Sequence, residues 1–234
     1  MKKYLFLFLF IFFVVSPAHA ASVSGKIVYD GAVPKLRPIN MGADPVCLSM
    51  HKDQALPQIL VLGDNNTMGN VFVYVKEGLP NKKYDPPAEP AVITQHGCQY
   101  HPHVLGLMVG QPLKILNPDG TLHNVHALPK KNKEFNMAMP KFRKEITTTF
   151  SKSEFMFPIK CDVHPWMGGW VAVMDNPYFT VTKADGLYTI DNLPPGTYTI
   201  AAWQEKLGER TAKVTISGAD DTKQVDFTFS RPGK

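Results

Sequence analysis

Helical signals are what this chain of 234 residues most lacks. No sustained stretch repeats apolar residues at helical spacing, which argues against an α or α/β fold. It also lacks a Gly-rich loop to cradle phosphates, a Ser in a nucleophile elbow, and paired carboxylates flanking an obvious cleft. Hydrolytic and phosphoryl-transfer chemistry find no support, and the chain is expected not to be an enzyme. Charge is sparse: 19% of residues are charged, with 25 Lys and Arg against 20 Asp and Glu. The basic residues do not cluster as a nucleic-acid footprint requires. Lys130, Lys131 and Lys133 make one short basic loop, read as a solvated turn.

Long apolar runs are confined to the start. Lys2 and Lys3 precede an apolar run from Leu5 to Val15, and Ala18-His19-Ala20 has the small-x-small form of a cleavage site. This pattern reads as a secretory signal peptide over residues 1–20. The run is short for a membrane span, and no later run is long enough, so no stable membrane insertion is expected. Without Lys2 and Lys3, 23 basic residues face 20 acidic ones, a net charge of +3. The product is expected to be soluble and periplasmic or secreted.

Cysteine is scarce as well, and its three positions are informative. Cys161-Asp162-Val163-His164-Pro165-Trp166-Met167 sets a thiolate, an imidazole and a thioether at Cys-x2-His-x2-Met spacing. Upstream lies His123-Asn124-Val125-His126. Two His, one Cys and a weak axial Met form the soft ligand set that suits a blue-copper site, so His123, Cys161, His164 and Met167 are the candidate ligands of one copper ion. Zinc prefers equally strong tetrahedral ligands and is less well served by Met. With Cys161 assigned to metal, Cys47 and Cys98 remain as a candidate disulfide in an oxidising compartment, with two free thiols as the alternative. Pro165 and Trp166 follow His164, so one edge of that imidazole is expected near the surface inside an apolar collar, which serves as the electron-transfer surface. Met137 and Met139 either extend that collar or pack in the core. His126 is read as a hydrogen-bonded neighbour on the face of His123. His96, His101 and His103 are read as hydrogen-bonded loop histidines, with a second metal site as the weaker alternative.

Strand signals recur with turn punctuation along the rest of the chain. Residues 24–29, 58–62 and 70–75 precede a Pro-rich stretch, 80–90. Seven strand-like segments then run from about 88 to 175, enough for one sandwich. Beyond Asp175, short alternating segments at 180–183, 186–190, 196–203, 211–216 and 225–229 are separated by Ala184-Asp185-Gly186 and Leu193-Pro194-Pro195-Gly196. The expected fold class is all-β.

The stretch Gly110–Asn117, the motif His123-Asn124-Val125-His126 and the loop from Cys161 to Val173 resemble a plastocyanin- or amicyanin-type cupredoxin. The short Cys-x2-His-x2-Met loop is most similar to the amicyanin version. The resemblance implies a Greek-key sandwich, the same four ligands for a type 1 copper, and a hydrogen bond from Asn124 across to the Cys-bearing loop. The segments Lys183–Ile190 and Leu193–Ile200 resemble a carboxypeptidase regulatory-like (transthyretin-like) sandwich, whose opening Gly-x-Val strand is best matched far upstream by Ser24–Tyr29. The expected organisation is a signal peptide over 1–20, strands of that small β-sandwich over 21–84, the cupredoxin domain inserted over 85–175, and the completing strands over 176–234. Two consecutive domains are the alternative.

Two functional classes follow. In one, the protein carries single electrons by Cu(II)/Cu(I) cycling to another exported redox protein, such as a cytochrome or a dehydrogenase. In the other, it binds or buffers copper, with the second sandwich as an interaction module.

Overall fold

The computed structural model of the protein describes residues 21–51 and 54–231; the expected signal peptide lies outside them. The fold is all-β, as its sequence texture suggests: nearly every regular element is a strand. Among the described residues no helix is long and apolar enough to cross a membrane.

Four larger sheets form two face-to-face pairs. In the first pair, Ser22–Tyr29 lies between Leu187–Asp191, antiparallel, and Thr222–Gln224, parallel, while its later half pairs in parallel with Phe227–Phe229. Facing it, the sheet order is Phe179–Val181, Phe72–Glu77, Gly196–Gln204 and Gly208–Ile216. Strands from both ends of the described chain therefore close over one core, which includes Val23, Ile27, Val73, Tyr198, Ile200 and Phe229.

The second pair is built from the middle of the chain. One sheet runs Phe135–Met139, His123–Ala127, Glu154–Lys160, Gly168–Met174 and Val104–Met108. The other runs Glu145–Thr148, Leu113–Leu116, Ala91–His96 and Gln99–His101. Ile93, Tyr100, Leu107, Ile115, Val125 and Val171 share its core with Cys161 and Met167. Extensive alternation of this kind is what sheets covered on a single face show, and two strands break it for a reason.

Phe72-Val73-Tyr74-Val75 is buried throughout because both its faces are covered. Val73 and Val75 enter the first core, whereas Phe72 and Tyr74 point the opposite way, as successive strand residues must. They meet Val104, Ala172, Met174 and Ala201, joined by the partly buried Trp170, Phe179 and Trp203. On Gly168–Met174, Val171 and Val173 likewise face the second core while Ala172 and Met174 face this junction. Gly106 lets the layers approach: a Cβ there meets ring carbons of Phe72 and Phe179 at 2.6 Å.

The junction also carries a buried contact between His103 and the Glu205 carboxylate. His103 Nε2 donates to Glu205 Oε1 at 2.6 Å, and its other ring nitrogen lies 3.0 Å from the Gly168 carbonyl. Trp170 Nε1–H donates to Glu205 Oε2 at 3.1 Å. Burial by itself pushes the Glu205 carboxyl up, but these contacts outweigh it and hold it below its ordinary range.

Between the first two strands, an arm of little regular structure crosses toward the middle sandwich. It contains a short helix, Pro45–Met50, capped by Asp44, whose Oδ1 accepts from the amides of Val46 and Cys47. The Asp-Pro pair is a start signal for a helix, one that the search for longer periodic runs passes over.

Candidate metal centre

His123 opens its strand, and Cys161 directly follows the end of the neighbouring one at Lys160, so strand pairing brings the two side chains together. The loop Cys161–Met167 closes on itself: the Cys161 amide donates to the Met167 carbonyl at 3.1 Å, and the Met167 amide to the His164 carbonyl at 2.9 Å. That turn carries His164 back over Cys161. His123, Cys161, His164 and Met167 are all buried, none more than 2% exposed.

Nδ1 of His123 lies 3.0 Å from Nδ1 of His164, and Cys161 Sγ lies 3.8 Å from the latter. The opposite nitrogen of each ring faces a carboxylate. His123 Nε2 donates to Asp119 Oδ2 at 2.9 Å, and His164 Nε2 donates to Asp44 Oδ2 at 3.0 Å. An ionised carboxylate can only accept, so each neutral ring carries its proton on Nε2. With both rings neutral, the two Nδ1 lone pairs point at one another beside a buried sulfur. A cation between them resolves that opposition, and the residues fit a soft metal ion held by two imidazoles and a thiolate.

At the thiol the electrostatics agree. Burial raises the Cys161 thiol, but contacts with His123 and with the amides of Asn124, His164 and Val163 outweigh it and lower it overall, toward the thiolate a metal requires. Burial lowers His123, yet Asp119 and Cys161 reverse the sign. His164 is held down by burial and by the charge of His123, with Asp44 opposing. Burial pushes Asp44 up, but bonds from His164, Thr121 and the amides of Cys47 and Val46 bring it to about 2.

Asn124 does bridge to the loop: its Oδ1 accepts from the Asp162 amide at 2.7 Å and from the Cys161 thiol at 3.2 Å. Its backbone carbonyl accepts from the buried Tyr100 hydroxyl at 2.6 Å. Cys47 and Cys98 form a disulfide, their Cα atoms 5.6 Å apart. Met137 is partly buried against the core and Met139 is fully buried.

Two expectations need correction. The His164 edge is not near the surface: the ring is 2% exposed, and Asp44 and Cys47 Sγ (3.6 Å from Nε2) cover it. Pro165 is exposed, and Trp166 is half-buried with its ring 5.1 Å from that of His164 and its Nε1–H donating to the Cys98 carbonyl. His126 does not share the face of His123; three residues along a strand reverse the side, and it binds Asp162 and Glu134 instead. His96, His101 and His103 do not gather into a site. His101 faces Gln58, His103 faces Glu205, and His96 is largely exposed. Among the described residues, the His, Cys and Asp groups close enough to share a metal all lie at this centre; Asp44 and Asp119 stand beside the two histidines, while Cys47 and Cys98 are tied up in the disulfide.

Sequence reasoning missed Asp119 and Asp44. Asp119 sits four residues before His123 in a Pro-Asp-Gly turn, where its Oδ1 and Oδ2 accept from the amides of Gly97 and Cys98; that spacing was readable as a turn but not as a partner. Next to Met167 lies a cavity of about 210 Å³, lined also by Tyr100, Trp166, Trp170, His103 and Glu205.

Residues 162–225 match a family model described as fn3_3, polysaccharide lyase family 4, domain II, which is well under half of the chain. No curated protein is significantly similar to the chain in sequence. Among solved structures, a mutant of amicyanin in its Cu(I) form is similar at 23% identity over 36% of this chain and 82% of that one, with a TM-score of 0.33. A purple cupredoxin from Nitrosopumilus maritimus is similar at 23% identity over 36% of this chain and 99% of its own, with a TM-score of 0.31. A copper-containing nitrite reductase from Thermus scotoductus SA-01 is similar at 20% identity over 42% of this chain and 25% of its own, with a TM-score of 0.35. These structural neighbours are thus cupredoxins or copper proteins, matched over part of the chain and at low TM-scores.

Proposed function

We propose that the protein is an exported type 1 copper protein that carries single electrons between redox partners. The convergence of the His123 and His164 Nδ1 atoms on the Cys161 thiol supports this reading more than any other observation. Met167, buried on the same loop, is the proposed weak axial ligand. Bound copper supplies a one-electron Cu(II)/Cu(I) couple. The chain's own part is to hold the ligands rigidly on strand ends and a self-bonded loop, so that little rearranges between the two charge states. Burial keeps water from the ligands, and Asn124 fixes the loop that bears the thiol.

Electrons enter and leave at Pro165 and Trp166. The Trp166 ring is the partly exposed π system against His164, while the Nε2 edge of His164 is closed. The partner is another exported redox protein such as a cytochrome or dehydrogenase; the chain is not itself an enzyme and takes no nucleic acid. Residues 1–20 are a signal peptide directing it to the periplasm or outside the cell. In domain terms, 85–175 form the cupredoxin unit, inserted between segments 21–84 and 176–234 of a carboxypeptidase regulatory-like (transthyretin-like) sandwich. The pairing of Ser22–Tyr29 with Leu187–Asp191 supports that split.

A copper-buffering role is the second reading, favoured by the closure of the His164 edge. Titrating Cu(II) into the metal-free protein separates the outcomes. The carrier takes one equivalent, turns intensely coloured through thiolate-to-copper charge transfer, and cycles reversibly in voltammetry. The buffer stays colourless or cycles slowly. Cys161→Ser abolishes the colour while the fold persists; colour surviving that change rejects the ligand assignment.

A further inference from the structure

Asp44 lies outside both sandwiches, yet its carboxylate is among the most constrained groups in the protein. Oδ1 accepts from the amides of Val46 and Cys47, at 2.7 and 3.2 Å. Oδ2 accepts from the Thr121 hydroxyl at 2.8 Å and from His164 Nε2–H at 3.0 Å. The arm that bears it is tied down three residues later by the Cys47–Cys98 disulfide. Cys98 in turn donates its amide to Asp119, the carboxylate behind His123. Both imidazoles are thus backed by carboxylates linked through the disulfide and one hydrogen bond, and the second carboxylate comes from a segment remote in sequence.

We propose that Asp44 is a positioning residue for His164. It holds the imidazole as the Nε2–H tautomer, with the Nδ1 lone pair aimed toward Cys161 and His123, and the disulfide keeps it in place. A carboxylate behind a ligating imidazole fixes the ring and raises the basicity of the ligating nitrogen. It therefore favours the more highly charged metal state. The arm also closes the ring edge, with Cys47 Sγ 3.6 Å from Nε2. Why this matters rests on the copper reading above; whether it happens does not.

The competing explanation is that Asp44 serves merely as the helix cap. Asp44→Ser separates the two, because Ser caps a helix well but lacks the second oxygen that reaches His164. Asp44→Asn keeps the capping oxygen but turns an amide NH2, a donor, toward His164 in place of the accepting Oδ2. Nitrogen-15 spectra of the metal-free full chain read the His164 tautomer directly. The expected result is an Nε2–H tautomer in the wild type and in Asp44→Ser a mixture of tautomers with faster proton exchange. Asp44→Asn should shift His164 toward the opposite, Nδ1–H tautomer, and Cys47→Ser/Cys98→Ser should resemble Asp44→Ser. In copper-loaded protein, Asp44→Ser should bind Cu(II) about 10–100-fold more weakly. Where Cu(I) binding is unchanged, each tenfold loss raises the reduction potential by about 59 mV. A wild-type tautomer or wild-type Cu(II) affinity in Asp44→Ser overturns the proposal. A chain that takes no copper at all overturns the function, and the tautomer still decides the role of Asp44.

Discussion

Removing the Glu205 carboxylate should cost far more than removing a surface charge. The His103 and Glu205 side chains are 8% and 6% exposed, and their hydrogen bond spans the junction between the two sandwiches. Both ring nitrogens of His103 face oxygen atoms, those of the Glu205 carboxylate and the Gly168 carbonyl. Glu205→Ala leaves that ring and the Trp170 indole N–H without their acceptor. Deleting one partner of a buried pair typically costs about 3–5 kcal/mol. For comparison, Glu145→Ala, which breaks the Lys114–Glu145 pair at side-chain exposures of 35% and 50%, should cost about 0–1 kcal/mol. Urea unfolding at pH 7 measures both. The pH dependence supplies a sign. Because the folded carboxyl of Glu205 lies below its ordinary range, its contribution is complete above the unfolded value and fades as pH falls through the folded one. The gap between wild type and Glu205→Ala should therefore narrow in acid below about pH 4.5. A loss under about 1 kcal/mol at pH 7, indistinguishable from Glu145→Ala, refutes the claim that this pair is a buried clamp.

Three further outcomes follow from other parts of the molecule. Cys47→Ser/Cys98→Ser opens a loop spanning 51 residues, and chain entropy puts the loss near ~4 kcal/mol in calorimetry or urea unfolding; a change under about 1 kcal/mol contradicts an arm ordered by its tether. Gly106→Ala drives a methyl into the Phe72 and Phe179 rings and should lower stability by about 1–3 kcal/mol, whereas an unchanged unfolding midpoint means that the two sandwiches do not pack as described. The Glu154 carboxylate accepts from the amides of Lys130, Lys131 and Asn132; burial raises its pKa, but these bonds outweigh it and lower it overall. Glu154→Gln should cost about 1–3 kcal/mol near neutral pH, and the difference should shrink below about pH 4.5, as titrated unfolding curves will show.

How much of this was legible in the sequence depended on whether a signal was local. The motif around Cys161 is local: three candidate ligands lie within seven residues, and strand pairing supplies His123. The disulfide followed from counting, since three cysteines minus one ligand left a single pair. Paired strands with strong alternation were also readable, whereas Gln99–His101, Phe135–Met139 and Thr222–Gln224 were not. They are short or weakly apolar and are held by neighbours rather than by propensity. Asp44 is the instructive miss. Nothing near it in sequence points to His164, 120 positions away, and only the folded arm makes them partners. The same arm explains why the His164 edge, expected at the surface from the Pro165-Trp166 flank, is covered. His126 shows a different error, in which three positions along a strand put a side chain on the opposite face.

The most direct measurement of the central claim is X-ray absorption at the copper edge of the protein loaded with one equivalent of Cu(II). The account predicts one strongly bound sulfur and two imidazole nitrogens, with the sulfur contribution absent in Cys161→Ser. A spectrum fitted by nitrogen and oxygen neighbours alone, identical in the wild type and that variant, contradicts it.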